Sequence, residues 1–225
     1  MRLFRFLTRS WFTATATLLV ACIGLTANAQ QLPADINANS LARLPYVQRK
    51  DADAGAKRLF ETFVRDSNAP TDVIKGPLAF AAYNSAVATA LLDLHDGAVV
   101  KGSLSAHVRE LAILVACRET NFDLEWNGHE PAAVRAGVDP KVIELVRNKG
   151  SLTAVNDNDA AVIRFGREML SDRKMSAATF AKARTLFGDR AAMDLVAVMS
   201  AYAVSGFYAI AVDEQVPAGK PRLPR

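Results

Sequence analysis

Residues 104–117 read Leu-Ser-Ala-His-Val-Arg-Glu-Leu-Ala-Ile-Leu-Val-Ala-Cys. Within them Val108, Leu111, Ala112, Val115 and Ala116 recur at offsets of three and four, the spacing of one helical face. From Leu111 to Cys117 no polar residue interrupts the run. Glu110 stands at its head, and Glu110 and Cys117 are seven positions apart, about two turns, so they share a stripe. A carboxylate on the buried stripe of an apolar helix must be paired, protonated or functional. Arg109 or a histidine from another helix would serve as its partner.

The same period extends outward. Leu59, Phe60, Phe63 and Val64 make one apolar stripe, and residues 79–100, rich in Ala, Leu and Val, predict a mostly buried helix or helix pair. Gly137-Val138-Asp139-Pro140 is a sharp break. Glycine suits the left-handed residue past one helix, while Asp139 caps the next and Pro140 fits its first turn. Residues 156–159 form another cap region, opening a helix through Val162, Ile163, Phe165, Met169 and Leu170. After Gly188-Asp189 comes a long apolar helix with Leu195, Val198, Met199, Tyr202 and Phe207. No alternating strand pattern interrupts these segments, and an all-α fold is predicted.

The two ends read differently. Arg2, Arg5 and Arg9 precede an uncharged stretch from Trp11 to Thr26, followed by Ala27-Asn28-Ala29. This is the pattern of a cleaved signal peptide over residues 1–29, with the cut after Ala29. The uncharged run is short for the ~20 residues a bilayer requires. Export to the periplasm or beyond is therefore expected. The alternative is a lipoprotein anchored at Cys22, since Leu19-Val20-Ala21-Cys22 resembles a lipobox. Removing three arginines from 27 basic residues leaves 24, against 23 acidic ones, a net charge of +1. That near-neutral balance gives no electrostatic case for nucleic-acid binding. Cleavage also leaves Cys117 as the only cysteine, so no internal disulfide can form. Residues 30–52 read as an extended arm, 53–215 as the helical domain, and 216–225, with three prolines, as a tail.

Of the histidines, His95 beside Asp93 and Asp96 reads as a surface residue, and His107 as a structural group near a helix start. His129 differs because Glu125 lies four residues before it, which puts both on one helical face. A carboxylate beside an imidazole fixes its tautomer and raises its basicity, as proton transfer near neutral pH requires. Trp126, three residues before His129, would wall the same face.

Leu104-Ser105, Arg109 to Leu114, Glu125-Trp126-x-x-His129 and Ala133-x-x-Ala136-Gly137-Val138 together resemble the carboxymuconolactone decarboxylase family, over roughly residues 76–150. The resemblance implies an all-α, alkylhydroperoxidase-D-like domain that assembles into homotrimers or homohexamers, with sites near subunit contacts. It also implies a small-molecule substrate. Peroxidases of the same superfamily carry Cys-x-x-Cys-x-x-x-His on this helix with an upstream glutamate. Glu110 and His129 fall at that glutamate and histidine, whereas Phe122 and Glu125 occupy the cysteine positions. A dithiol cycle needs one thiol to attack and another to resolve, so it cannot run at this helix.

The expected activity is therefore decarboxylation, or related lyase or isomerase chemistry, on a small carboxylic acid or lactone, with neither a metal nor an organic cofactor. His129 would donate the proton, Glu125 would orient it, and Glu110 would carry a second proton or pair with it. Trp126, Cys117 and Arg109 would line the pocket. Two alternatives stand beside this: a thiol-dependent peroxidase using Cys117, and a non-catalytic helical oligomer that binds a ligand.

Overall fold

The computed structural model describes residues 32–56, 59–60, 72–76 and 79–225. The expected signal segment, Cys22, Phe63 and Val64 lie outside these residues. Seven α-helices have both ends described: α1 Ser85–His95, α2 Ala106–Glu119, α3 Asp123–Arg135, α4 Pro140–Arg147, α5 Asp157–Arg167, α6 Ala177–Phe187 and α7 Asp189–Ala211. Among the described residues there is no β-strand, only two isolated bridges, Asn37 with Ala42 and Gln48 with Val73. The fold is all-α.

Helix α2 is the axis of the core. Ser105 opens it, its hydroxyl accepting from the Val108 amide at 3.3 Å. Every residue from Glu110 to Arg118 is buried, as the uninterrupted apolar run requires. Helices α3, α5 and α7 pack around it. The approach of α5 depends on Gly166, where an added Cβ would collide with Val115 of α2 and crowd Met199 of α7. Helix α7 is long and apolar enough to cross a membrane by length and composition. Its Leu195, Val198 and Met199 are nevertheless fully buried in the core shared with α2.

The predicted stops are real. Gly137 has a φ of +83°, Asp139 accepts from the Lys141 amide at 2.8 Å, and Asn156 accepts from the Asp159 amide at 3.0 Å. Each cap satisfies an amide that the first helical turn leaves without an intrahelical partner.

The 79–100 region departs from expectation. It forms a short 3₁₀ turn at Ala81–Tyr83, then α1, then a π-helical turn at Asp96–Val100. Within α1 only Ala88 is buried, and Val87 and Val100 are exposed. Apolar composition without a dominant stripe gave no direction to the buried face. The N-terminal arm also differs, since residues 32–52 make tight turns rather than one extended run. It docks by main-chain bonds from Arg43 N–H to Val212 O at 2.7 Å and from Gln215 N–H to Leu41 O at 2.6 Å. The final residues are docked too. Asp123, buried at the start of α3, accepts from the Leu223 amide at 2.6 Å and from Arg225 at 2.7 Å.

Candidate active site

The turn between α2 and α3 sets the geometry. Asn121 takes a left-handed φ of 52°, and the Phe122 amide bonds the Cys117 carbonyl at 2.7 Å. Helix α3 then returns along α2. Glu110 lies nine residues before the end of α2 and His129 six residues after the start of α3. At about 1.5 Å rise per residue the two reach similar heights.

They meet there. Nδ1 of His129 lies 2.8 Å from Oε2 of Glu110. The other ring nitrogen, Nε2, lies 3.0 Å from the Tyr202 hydroxyl and 3.3 Å from Oε2 of Glu125. The rings of His129 and Tyr202 stand edge to face, with centroids 5.0 Å apart. Three helices thus supply one cluster: α2 gives Glu110, α3 gives Glu125 and His129, and α7 gives Tyr202. Glu110 is 8% exposed and the His129 side chain 23%, so the cluster is largely withdrawn from water while the imidazole keeps an open edge.

Burial alone would push the imidazole down. The hydrogen bonds and charges of Glu110 and Glu125 outweigh it and raise the His129 pKa to about 9. At neutral pH the ring is therefore an imidazolium held between two carboxylates. Nδ1–H donates to Glu110, which fixes the ring and leaves Nε2 as the variable position. Burial, and then the nearby Glu125 charge, pushes the Tyr202 phenol up, so its proton is retained. Tyr202 Oη accepts from Nε2–H when the ring is charged and donates to Nε2 when it is neutral. Nε2 can release and regain a proton without losing its partner.

The other expected site residues have different places. Arg109 is adjacent, with Nε 3.7 Å from Oε1 of Glu110, and among the described residues that buried Nε has no hydrogen-bond partner. Trp126 does not wall the His129 face. It is 1% exposed, its indole N–H donates to Glu130 at 2.9 Å, and the Arg147 guanidinium lies over its ring at 4.9 Å. A buried indole N–H needs an acceptor, and Glu130, one turn on, turns the ring toward α4. Cys117 lies inside the core rather than at an accessible surface. It is fully buried, and burial followed by the Glu125 charge raises its thiol pKa well above the ordinary value.

His95 is half-buried, 3.6 Å from Asp96. His107 binds the buried Asp159 at 2.7 Å and so ties α2 to α5. Sequence reasoning missed Tyr202 as a site residue. It sits on the apolar stripe of α7, and its spacing matches that of its core neighbours.

Residues 85–168 match the model of the carboxymuconolactone decarboxylase family. This segment holds Glu110, Glu125 and His129 but not Tyr202, and it runs further toward the C-terminus than the resemblance read from the motifs. No curated protein matches the chain by sequence. Solved structures do match in fold. The alkylhydroperoxidase AhpD core of an uncharacterized peroxidase-related protein from Ralstonia eutropha JMP134 has a TM-score of 0.61 at 18% identity, covering 79% of this chain and 93% of that one. An uncharacterized peroxidase-related protein from Silicibacter sp. TM1040 gives 0.57 at 18% identity, with 82% and 95% covered. The debrominase Bmp8 in complex with 2,3,4-tribromopyrrole gives 0.58 at 14% identity, with 79% and 94% covered. At these identities the likeness is one of fold.

Proposed function

We propose that the chain is a carboxymuconolactone-decarboxylase-like enzyme that performs acid–base decarboxylation, or a related lyase or isomerase step, on a small carboxylic acid or lactone. The observation that carries this reading is the double engagement of His129, by Glu110 at Nδ1 and by Tyr202 and Glu125 at Nε2. In a decarboxylation the bond to the carboxylate carbon breaks, carbon dioxide leaves, and the electron pair is delocalised into a conjugated carbonyl. The carbon then takes the Nε2 proton of His129. Glu110 holds the ring in place throughout, and Glu125 offsets the charge of the imidazolium before transfer. Low exposure strengthens these electrostatic contacts relative to water.

Carbon dioxide release from a panel of small lactone carboxylates tests the reading. His129→Gln is expected to lower kcat/KM by about 10²–10⁴-fold, the usual share of a positioned proton donor. Turnover that survives in this variant with its fold intact would favour a ligand-binding role instead. A peroxidase using Cys117 would need thiolate at a position that is fully buried. Peroxide consumption that disappears in Cys117→Ser would favour it nonetheless.

Assembly and location belong to the same proposal. Exposed Val87, Val100, Phe207 and Ile210 would be covered in a homotrimer or homohexamer, which light scattering on the purified chain reads directly. Export with cleavage after Ala29 is checked by N-terminal sequencing of periplasmic material. A lipidated start at Cys22 is the other outcome.

A further inference from the structure

Decarboxylation moves a negative charge rather than creating one. The charge starts on a carboxylate that leaves as neutral carbon dioxide, and it collects on the carbonyl oxygen that takes up the electron pair. A cation on the leaving carboxylate opposes this movement, and one on the carbonyl oxygen favours it. His129 gives its Nε2 proton to carbon, and Tyr202 is engaged with that same nitrogen. Holding the oxygen therefore falls to a further group beside the ring.

Arg109 stands there. Arg109 and His129 meet opposite oxygens of one carboxylate, with Nε of Arg109 3.7 Å from Oε1 of Glu110 and Nδ1 of His129 2.8 Å from Oε2. A separation of 3.7 Å is a contact of charges, too long for a hydrogen bond. Arg118, Arg147 and Arg167 are also withdrawn from water, and each donates a hydrogen bond within the protein. Arg109 donates none among the described residues. Its Nε is sealed in without a partner, whereas Nη1 and Nη2 are not sealed in, and the side chain keeps 27% exposure. A buried donor left unbonded opposes folding, so stability does not account for this arginine. Its charge does fit the site. Arg109 and the imidazolium balance Glu110 and Glu125, and without Arg109 the cluster would carry one net negative charge and repel an anion.

We propose that Arg109 is the oxyanion-holding residue of the His129 site, with Nη1 and Nη2 donating to the carbonyl oxygen of a lactone or acid that passes through an enolate. The bond to the carboxylate carbon breaks, and its electron pair enters the conjugated system. Carbon dioxide leaves, and the charge arrives on the oxygen that Arg109 holds. The enolate carbon takes the Nε2 proton of His129, the carbonyl re-forms, and a solvent proton recharges the ring at its open edge. The guanidinium keeps its own protons throughout, because it stays charged at any working pH. Its planar fork suits a planar enolate oxygen better than a point charge would. The same contact selects substrates, favouring acids whose carbonyl is conjugated to the carbon that loses carbon dioxide.

The inference rests on the acid–base reading, and its test reads binding rather than turnover. The probe is tetronate, a stable lactone enolate with no carboxylate to lose, and the control is the neutral γ-butyrolactone. Each is titrated into the full chain, labelled with ¹⁵N at histidine and arginine and followed by NMR. Tetronate is expected to shift the His129 and Arg109 signals together. Arg109→Gln should weaken tetronate by about 10–100-fold, the loss of a hydrogen bond between charged groups, and leave the butyrolactone affinity unchanged. Equal tetronate affinity in the wild type and Arg109→Gln overturns the proposal. So does equal weakening of both ligands, which would mean lost shape rather than a lost charge contact. If Arg109→Gln fails to fold, the wild-type spectra decide: Arg109 signals that stay still while tetronate saturates the site overturn the proposal. Arg109-dependent tetronate binding with no carbon dioxide from any lactone carboxylate would sink the lyase reading and keep the oxyanion contact.

Discussion

At the scale of single residues, His129 and its carboxylate partners set the chemistry of the site. The raised pKa of His129 makes stability depend on pH. The folded imidazole, at about 9 against an ordinary 6.5, binds its proton more tightly than the unfolded one. The stabilisation is therefore complete below pH 6.5 and lost as pH rises through 9. Linkage puts it at about 3 kcal/mol. Thermal melts from pH 6 to 10 should show Tm falling across this window in the wild type and falling less in His129→Gln. Equal slopes would mean the ring is not charged in the fold. Cys117 gives a second residue-scale expectation. Buried and with its thiol pKa raised, it should resist an aromatic disulfide reagent in the native protein and react fully once denatured.

Glu110, Glu125 and His129 were legible partly because one carboxylate headed an apolar run and two groups stood four residues apart, and mostly through the resemblance to the carboxymuconolactone decarboxylase family. Tyr202 was not, because it comes from α7, 73 residues beyond His129. Nothing in the local pattern separates a phenol that reaches a ring nitrogen from one that fills the core. Trp126 was misplaced for a related reason. Spacing sets which helical face a residue occupies, but the acceptor its N–H finds decides where the ring turns.

At the scale of elements, caps and breaks read well because their chemistry is local. Asp139 and Asn156 satisfy amides two or three residues away, and Gly137 supplies a left-handed φ. The burial of α1 read poorly, since Ala-rich composition does not say which neighbour covers it. Helix crossings depend on contacts distant in sequence, and Gly166 is the clearest. A methyl there meets Val115 and Met199 at the centre of α2, α5 and α7. Gly166→Ala should therefore destabilise by about 1–3 kcal/mol through overpacking, against the gain that alanine brings to an exposed helix. Urea denaturation midpoints decide the sign.

At the scale of the whole molecule, the C-terminal tail joins fold to site. Leu223 is buried, and its amide and the Arg225 guanidinium supply the donors to buried Asp123 at the head of α3. The tail's prolines were readable as helix breakers, but its docking was not, because each contact spans about a hundred residues of chain. Deleting residues 221–225 should destabilise by about 2–3 kcal/mol, from one lost leucine and an unpaired carboxylate. Urea denaturation of the truncated chain checks this.

The central claim is that these layers hold His129 as an imidazolium between Glu110 and Glu125, built to move protons. Histidine ¹⁵N NMR on the intact protein tests it most directly. The expected result is both His129 nitrogens protonated at pH 7.5 and an apparent pKa of about 9. A neutral single tautomer at that pH, titrating near 6.5 like a solvent-exposed histidine, would contradict it.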